Sequence, residues 1–194
     1  MPGTKSDASV RDRLLAAANE LFYEQGIHAV GIERVLERAK VAKASLYSTF
    51  GSKDDLVGAY LEARDQRRRQ RIGAALQKHS GARARILAVY DLLGETVREK
   101  NYRGCAFVNA SGEGMRAQSK AKRACDVSRA WLRETFTSLS RELGATDPDQ
   151  LGARLMMLYD GATVAASMDR NANAAAEARA FAEWLLKDAV PYQR

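Results

Sequence analysis

The chain has 194 residues, 46% of them hydrophobic and 7% aromatic, with 31 Lys and Arg against 24 Asp and Glu, a net charge of +7 and an isoelectric point near 9.6. Apolar content is ample for a core, and abundant Ala with few β-branched runs argues against a sheet, so the class is all-α. The charge favours an anionic partner such as nucleic acid or a membrane surface; no apolar run approaches the roughly 20 residues of a spanning helix, and no membrane partner is expected.

The apolar positions Val10, Leu14, Ala18, Leu21 and Phe22 fall at helical spacing from Ser9 and stop at Gly26, predicting a first helix of about 16 residues. Ile32, Val35, Leu36 and Ala39 form a second short stripe, and Leu46 and Phe50 a third within residues 44–50. Neither short segment is stable alone. With the first helix they make a three-helix unit over residues 9–60, with a helix-turn-helix at about 31–50 and a single small core. Ser52 is a candidate N-cap for the next helix, with Asp54 and Asp55 at its positive dipole end. That helix is expected to run to about Gly73. Its charged later half, ARDQRRRQR, suits a solvated link from the small unit to a larger body over residues 61–194.

In the body, helices are expected at about 82–100, 106–118, 121–143, 148–168 and 174–188, giving about nine in all. Gly144 stops the third of these. Asp147 caps the fourth, Pro148 takes its first helical position, and Gln150 stands as in a capping box. Asn101, Gly104, Gly112 and Gly114 make residues 101–114 the least regular part. The N-terminal run MPGTKSDASVRDR lacks the apolar core of a signal peptide, so a cytoplasmic protein is expected. Two cysteines, Cys105 and Cys125, are too few for a disulfide framework, and with the isolated His28 and His79 they draw no metal-ligand cluster. No cofactor is expected. Two histidines in ordinary contexts and no glycine-rich phosphate loop after a strand also leave nothing on which to build an enzyme.

A helix that reads DNA exposes short polar side chains while its rear packs on a supporting helix. Lys43, Ala44, Ser45, Tyr47, Ser48 and Thr49 meet that need, with Leu46 and Phe50 turned inward, and Lys53 opens the next helix where charge and helix end both suit a phosphate. The run from Ile32 through Ala39, Val41, Leu46, Tyr47, Phe50, Lys53 and Leu56, preceded by Ala17, Leu21, Phe22 and Gly26, resembles the TetR family of transcriptional regulators. The resemblance covers roughly residues 10–60; beyond them only length and helix layout agree. It implies base-edge contacts from Lys43, Ala44, Ser45 and Ser48, and backbone contacts from Tyr47, Thr49 and Lys53. Arg34 and Arg38 read equally well as phosphate partners or as a solvated face.

Four positions depart from the family pattern. Gly31 stands where a capping Thr is usual, Lys40 where Gly is favoured, and Ala42 and Ala44 where Ser and Gly are common. Gly31 caps less well than Thr, Lys40 enters the turn at a steric cost, and Ala42 lacks a hydroxyl for phosphate.

The resemblance further implies a homodimer formed by the last two long helices, and a ligand-responsive regulator, most simply a repressor, that binds a pseudo-palindromic operator in double-stranded DNA and is released by a small-molecule or electrophile effector. The apolar faces offered for dimerisation are Leu151, Leu155, Leu158, Tyr159, Ala162 and Ala166, then Phe181, Trp184, Leu185 and Leu186. An effector cavity among the middle helices would draw on Tyr90, Cys105, Phe107, Met115, Trp131, Phe136 and Met157, each of which also reads as plain core. Cys105 follows Gly104 at the opening of the sixth helix, beside Arg103, and a Gly-Cys pair there resembles a subset of the family with a sensing cysteine. The other reading of Cys105 is a small buried apolar group. The alternative to a DNA-binding regulator is a helical adaptor that binds protein through its basic face.

Overall fold

A computed structural model describes residues 9–189, and among these it contains nine helices and no strand. They are α1 (Val10–Gln25), α2 (Ile32–Ala39), α3 (Lys43–Phe50), α4 (Lys53–Gln77), α5 (Ala82–Val97), α6 (Ala106–Gly112), α7 (Lys120–Glu142), α8 (Pro148–Met168) and α9 (Ala174–Asp188). The all-α reading and the helix count therefore agree with the structure. Three ends differ from expectation. Helix α4 continues four residues past Gly73, because Ile72 is buried and Leu76 packs on the same core. Helix α5 ends at Val97 rather than near residue 100, and α6 stops at Gly112, followed by Gly114 at φ +77°.

The chain forms two compact units: residues up to Arg64 together with Ala106–Cys125, and Asp65–Cys105 together with the chain from Asp126 onward. The sequence pattern does not show that residues 106–125 belong with the N-terminal helices. Their apolar members Ala106, Ala110, Ala121, Ala124 and Cys125 complete the core built by Leu14, Phe22, Val30, Val35, Leu46, Leu56 and Leu61.

In the first unit, the Ser9 hydroxyl accepts the Asp12 amide at 3.1 Å and so opens α1, and Gly26 at φ +91° closes it. The buried residues Leu14, Ala17, Ala18, Leu21 and Phe22 lie on one stripe, the face that α2 and α3 require. The turn between α2 and α3 is made by Lys40 at φ +53°, ψ +52°, the left-handed conformation that a side chain disfavours by about 1 kcal/mol. Neither Gly31 before α2 nor Ala42 before α3 supplies a side-chain cap. Ser52 does so before α4, accepting the Asp55 amide at 3.0 Å. The Lys120 ammonium, 2.8 Å from Asp55 Oδ1, holds the Asp55 carboxyl below the usual carboxylate range, helped by Ser52.

The second unit is centred on Tyr90, Phe136 and Tyr159, whose ring centroids lie 5.8–6.4 Å apart. The Tyr90 hydroxyl donates to the Leu155 carbonyl at 2.7 Å. Burial pushes both phenols up, Tyr159 to about 12, so both are neutral near pH 7. Helices α7 and α8 approach so closely that a Cβ on Gly152 would lie 2.9 Å from the backbone of Thr137. Asp147 caps α8, accepting the Gln150 amide at 2.9 Å, with Pro148 at the first turn. A buried polar knot joins α4 to α7 here: Ser128 Oγ donates to Asp65 Oδ1 at 2.6 Å, Arg69 Nε donates to Asp65 Oδ2 at 2.6 Å, and Arg68 donates to the Ser128 hydroxyl and carbonyl.

Candidate nucleic-acid interface

Helix α3 turns a single residue, Leu46, fully inward, with Phe50 and Ser45 half-buried. Lys43, Ala44, Tyr47, Ser48 and Thr49 are exposed, so α3 presents one continuous polar face. Tyr47 is 45% exposed, unusual for so large a ring and suited to a side chain awaiting a partner. The hydroxyls of Ser48 and Thr49 donate to the Ser45 carbonyl at 3.1 and 2.6 Å, leaving their lone pairs outward. Lys43 Nζ lies 3.4 Å from Glu33 Oε1, and the Glu33 carboxyl is held below its usual range by its own backbone amide and then by Lys43. This pair is exposed at both ends, and a phosphate would compete with Glu33 for the ammonium.

Lys53 is placed differently from the sequence expectation of a ready phosphate ligand. Its ammonium donates to the Ile27 carbonyl at 2.7 Å and sits 5.9 Å from the Phe22 ring centroid, tying the start of α4 to the turn after α1. Arg38 is paired with Glu20 at 2.7 Å. Arg11 stacks its guanidinium 5.7 Å from the Phe50 ring centroid, which brings a cation from the first turn of α1 to the end of α3. Sequence spacing gave no sign of that contact, because the two residues lie on different elements.

The expected effector residues are not gathered round one cavity. Phe107 and Met115 pack on the core of the first unit, whereas Tyr90, Phe136, Trp131, Cys105 and Met157 belong to the second. Tyr90 and Phe136 are buried in the aromatic centre, and Trp131 lies beneath the Arg69 guanidinium at 4.9 Å. Met157 is 72% exposed and lines nothing internal. Cys105 is half-buried and Cys125 buried, both as free thiols. The second unit does hold a cavity of about 440 Å³, lined by Val97, Glu99, Tyr102, Arg103, Ser167 and Arg170 among others, and none of the expected residues lines it.

The apolar faces expected to pair between subunits need a similar correction. Leu151, Leu155, Tyr159, Ala162, Ala166 and Leu186 are buried within the protomer's own core. Of the expected residues, Phe181 and Trp184 on α9 do stay on the surface, each 62% exposed, while the exposed apolar residues of α8 are others: Met157, Val164 and Met168, with Gly161 between them.

Residues 14–60 match the family model described as bacterial regulatory proteins, tetR family. Transcriptional regulator AcuR of Cereibacter sphaeroides is 30% identical over 180 residues, spanning 87% of this chain and 81% of that protein. The chain belongs to the TetR family. A crystal structure of SCO4454, a TetR-family transcriptional regulator from Streptomyces coelicolor, superposes with a TM-score of 0.87 at 35% identity, covering 93% of this chain and 95% of that one. The HTH-type transcriptional repressor NemR of Escherichia coli is 33% identical over 110 residues, so the match spans about half of that relative, 55% of its length. In its reduced form NemR superposes with a TM-score of 0.80 at 26% identity over 95% of this chain and 98% of that one. As a TetR-family member the chain is a DNA-binding transcriptional regulator, and its relatives are regulators rather than enzymes. Among the described residues no helix is long and apolar enough to cross a membrane.

Proposed function

We propose that the protein is a homodimeric, effector-responsive repressor in the cytoplasm that reads one half of a pseudo-palindromic operator with each α3 helix. The observation that carries this reading is α3 itself, which buries Leu46 and exposes Lys43, Ala44, Tyr47, Ser48 and Thr49, with Ser45 half-buried beside them. Lys43, Ala44, Ser45 and Ser48 meet base edges, and Tyr47 and Thr49 meet the phosphate backbone. Lys53, already bonded to the Ile27 carbonyl, contributes charge near a phosphate while it fixes the start of α4. Residues 9–60 supply the DNA-reading helices, with residues 106–125 completing their core, and the rest of residues 61–194 the sensing and dimerising body.

Dimerisation is supported by the exposed stripe on α8 and α9. Met157, Gly161, Val164 and Met168 follow one another at intervals of four, three and four residues, the spacing of a single helix face. A Cβ on Gly161 would meet nothing within 4 Å, so that face is open to close approach. With Phe181 and Trp184 it forms an apolar surface that a second copy covers, an isologous two-fold contact matching the symmetry of the operator.

The effector site belongs to the second unit, where Arg103 and Arg170 in the 440 Å³ cavity suit a small acidic molecule. A second reading, an electrophile acting on Cys105, is favoured by the half-buried free thiol immediately before α6 and by the similarity to NemR, a repressor whose reduced form has been solved.

Selection from a random duplex library tests the DNA reading. A pseudo-palindromic consensus is expected, with affinity falling steeply with salt. Tyr47→Ala is expected to weaken binding to it about tenfold while helicity is retained. Binding that ignores duplex sequence and salt, with Tyr47→Ala unchanged, would remove α3 as the reading helix.

A further inference from the structure

We propose that Glu113, in the segment between α6 and α7, is a positioning residue for DNA recognition: its carboxylate grips the turn after α1 and so fixes the setting of α3. The proposal rests on α3 being the reading helix. Glu113 lies 85 residues from the turn it holds, and no motif points to it.

Its two oxygens are both engaged. Oε1 accepts the Ile27 amide at 3.0 Å and Oε2 accepts the His28 amide at 2.6 Å, with His28 Nδ1 also 3.3 Å from Oε2. The peptide group joining Ile27 to His28 is therefore held from both ends: its N–H donates to the Glu113 carboxylate, and its C=O accepts from the Lys53 ammonium at 2.7 Å. Opposite charges at the two ends of one peptide dipole polarise it and strengthen both bonds. Lys53 is the first residue of α4 and stands three residues beyond Phe50, the last of α3. The path from Glu113 to the reading helix thus passes through one peptide plane and one ammonium, all within the first unit.

The surroundings are shaped to admit this carboxylate. Gly26 sits at φ +91°, and a Cβ there would lie 3.3 Å from Glu113 Oε1, so glycine provides both the turn and the room. Residues 106–125 grip the same unit at two further places, through the Lys120 pair with Asp55 and through Gly58, where a Cβ would lie 2.7 Å from Lys120 Cβ. The segment enters from the second unit at Cys105 and leaves along α7.

The sign of the effect separates positioning from plain electrostatics. Removing a carboxylate from a DNA-binding unit raises affinity if charge alone matters. Positioning predicts the reverse.

The test uses the full-length protein and a duplex selected by the wild type. Glu113→Ala is expected to bind about tenfold more weakly, with an unchanged slope of log affinity against log salt because no phosphate contact is lost. Glu113→Gln keeps the side-chain size but only one acceptor oxygen, and is expected to fall between the two. It also serves as the folded variant should the alanine protein fail to fold. Amide hydrogen exchange at Ile27 and His28 should quicken in both variants while the amides of Leu14 to Phe22 keep their protection. Equal or tighter binding by folded Glu113→Ala and Glu113→Gln, or unchanged exchange at Ile27 and His28, overturns the inference and leaves the reading helix standing. A wild type that selects no duplex sinks the reading helix, and the Glu113 inference with it.

Discussion

The α3 surface and the stripe on α8 and α9 are both exposed, yet they face opposite physical problems. Helix α3 buries Leu46, half-buries Phe50 and shows water a polar face, so it is complete as a free surface. The stripe buries Leu151, Leu155 and Tyr159 on one side and still shows water Met157, Met168, Phe181 and Trp184 on the other. Apolar residues on two faces of one helix leave one face packed within the protomer and the other in water. A polar face is satisfied by water as it stands, whereas an apolar face in water is the kind that the proposed pairing with a second copy would cover.

The comparison can be broken most forcefully at its buried side. Leu46→Ala removes the only fully buried side chain of α3, and should destabilise the first unit by about 3 kcal/mol and abolish operator binding, as read by thermal melting and duplex titration. Next in size, Phe181→Asp combined with Trp184→Asp should raise the dimer dissociation constant at least about 100-fold in sedimentation while helicity is retained. A double variant that stays dimeric would mean that the stripe is not the interface.

Gly152→Ala sharpens the internal side of α8. The added Cβ would meet the Thr137 hydroxyl and lie 2.9 Å from the Thr137 backbone, which cannot yield by rotating a side chain, and a loss of about 2 kcal/mol is expected in denaturant titration. Alkali probes the aromatic centre of the same unit. Because burial raises the folded-state values of Tyr90 and Tyr159, their neutral forms contribute stability that is fully present below about pH 10 and is lost as pH rises towards 12. Tyrosinate absorbance should therefore appear together with the loss of helicity, and Tyr159→Phe should move that transition to higher pH. The smallest expected effect is a gain: Ala42→Ser restores a side-chain cap before α3 and should stabilise the first unit by about 1 kcal/mol, and its new hydroxyl should tighten operator binding.

Much of the helix layout was legible because its signals are local. Gly26, Ser52, Asp147 and Pro148 mark helix ends through backbone chemistry that acts within four residues, and the α1 stripe follows from helical period alone. The strain foreseen at Lys40 appears at that position in the structure for the same reason, and Gly31, expected to cap less well than Thr, makes no side-chain cap at all. Lys53 shows where such reasoning stops: charge and position suggested a phosphate, and the carbonyl it meets comes from Ile27, 26 residues earlier. Large apolar groups of the middle helices look alike in the sequence whether they lie in a packed centre, as Tyr90 does, or in the open, as Met157 does.

By itself, then, the amino-acid sequence determined an all-α chain, the helix-turn-helix, the polar residues of its second helix and the family to which these belong, since helix period, caps and turn residues act over a few positions. Only the tertiary structure decided which apolar side of α8 closes the protomer and which stays exposed, that residues 106–125 join the first unit, and that Glu113 and Lys53 hold one peptide between them. Each of these depends on contacts between residues far apart in the chain, where hydrophobic pattern records that a side chain is apolar or charged but not what it meets.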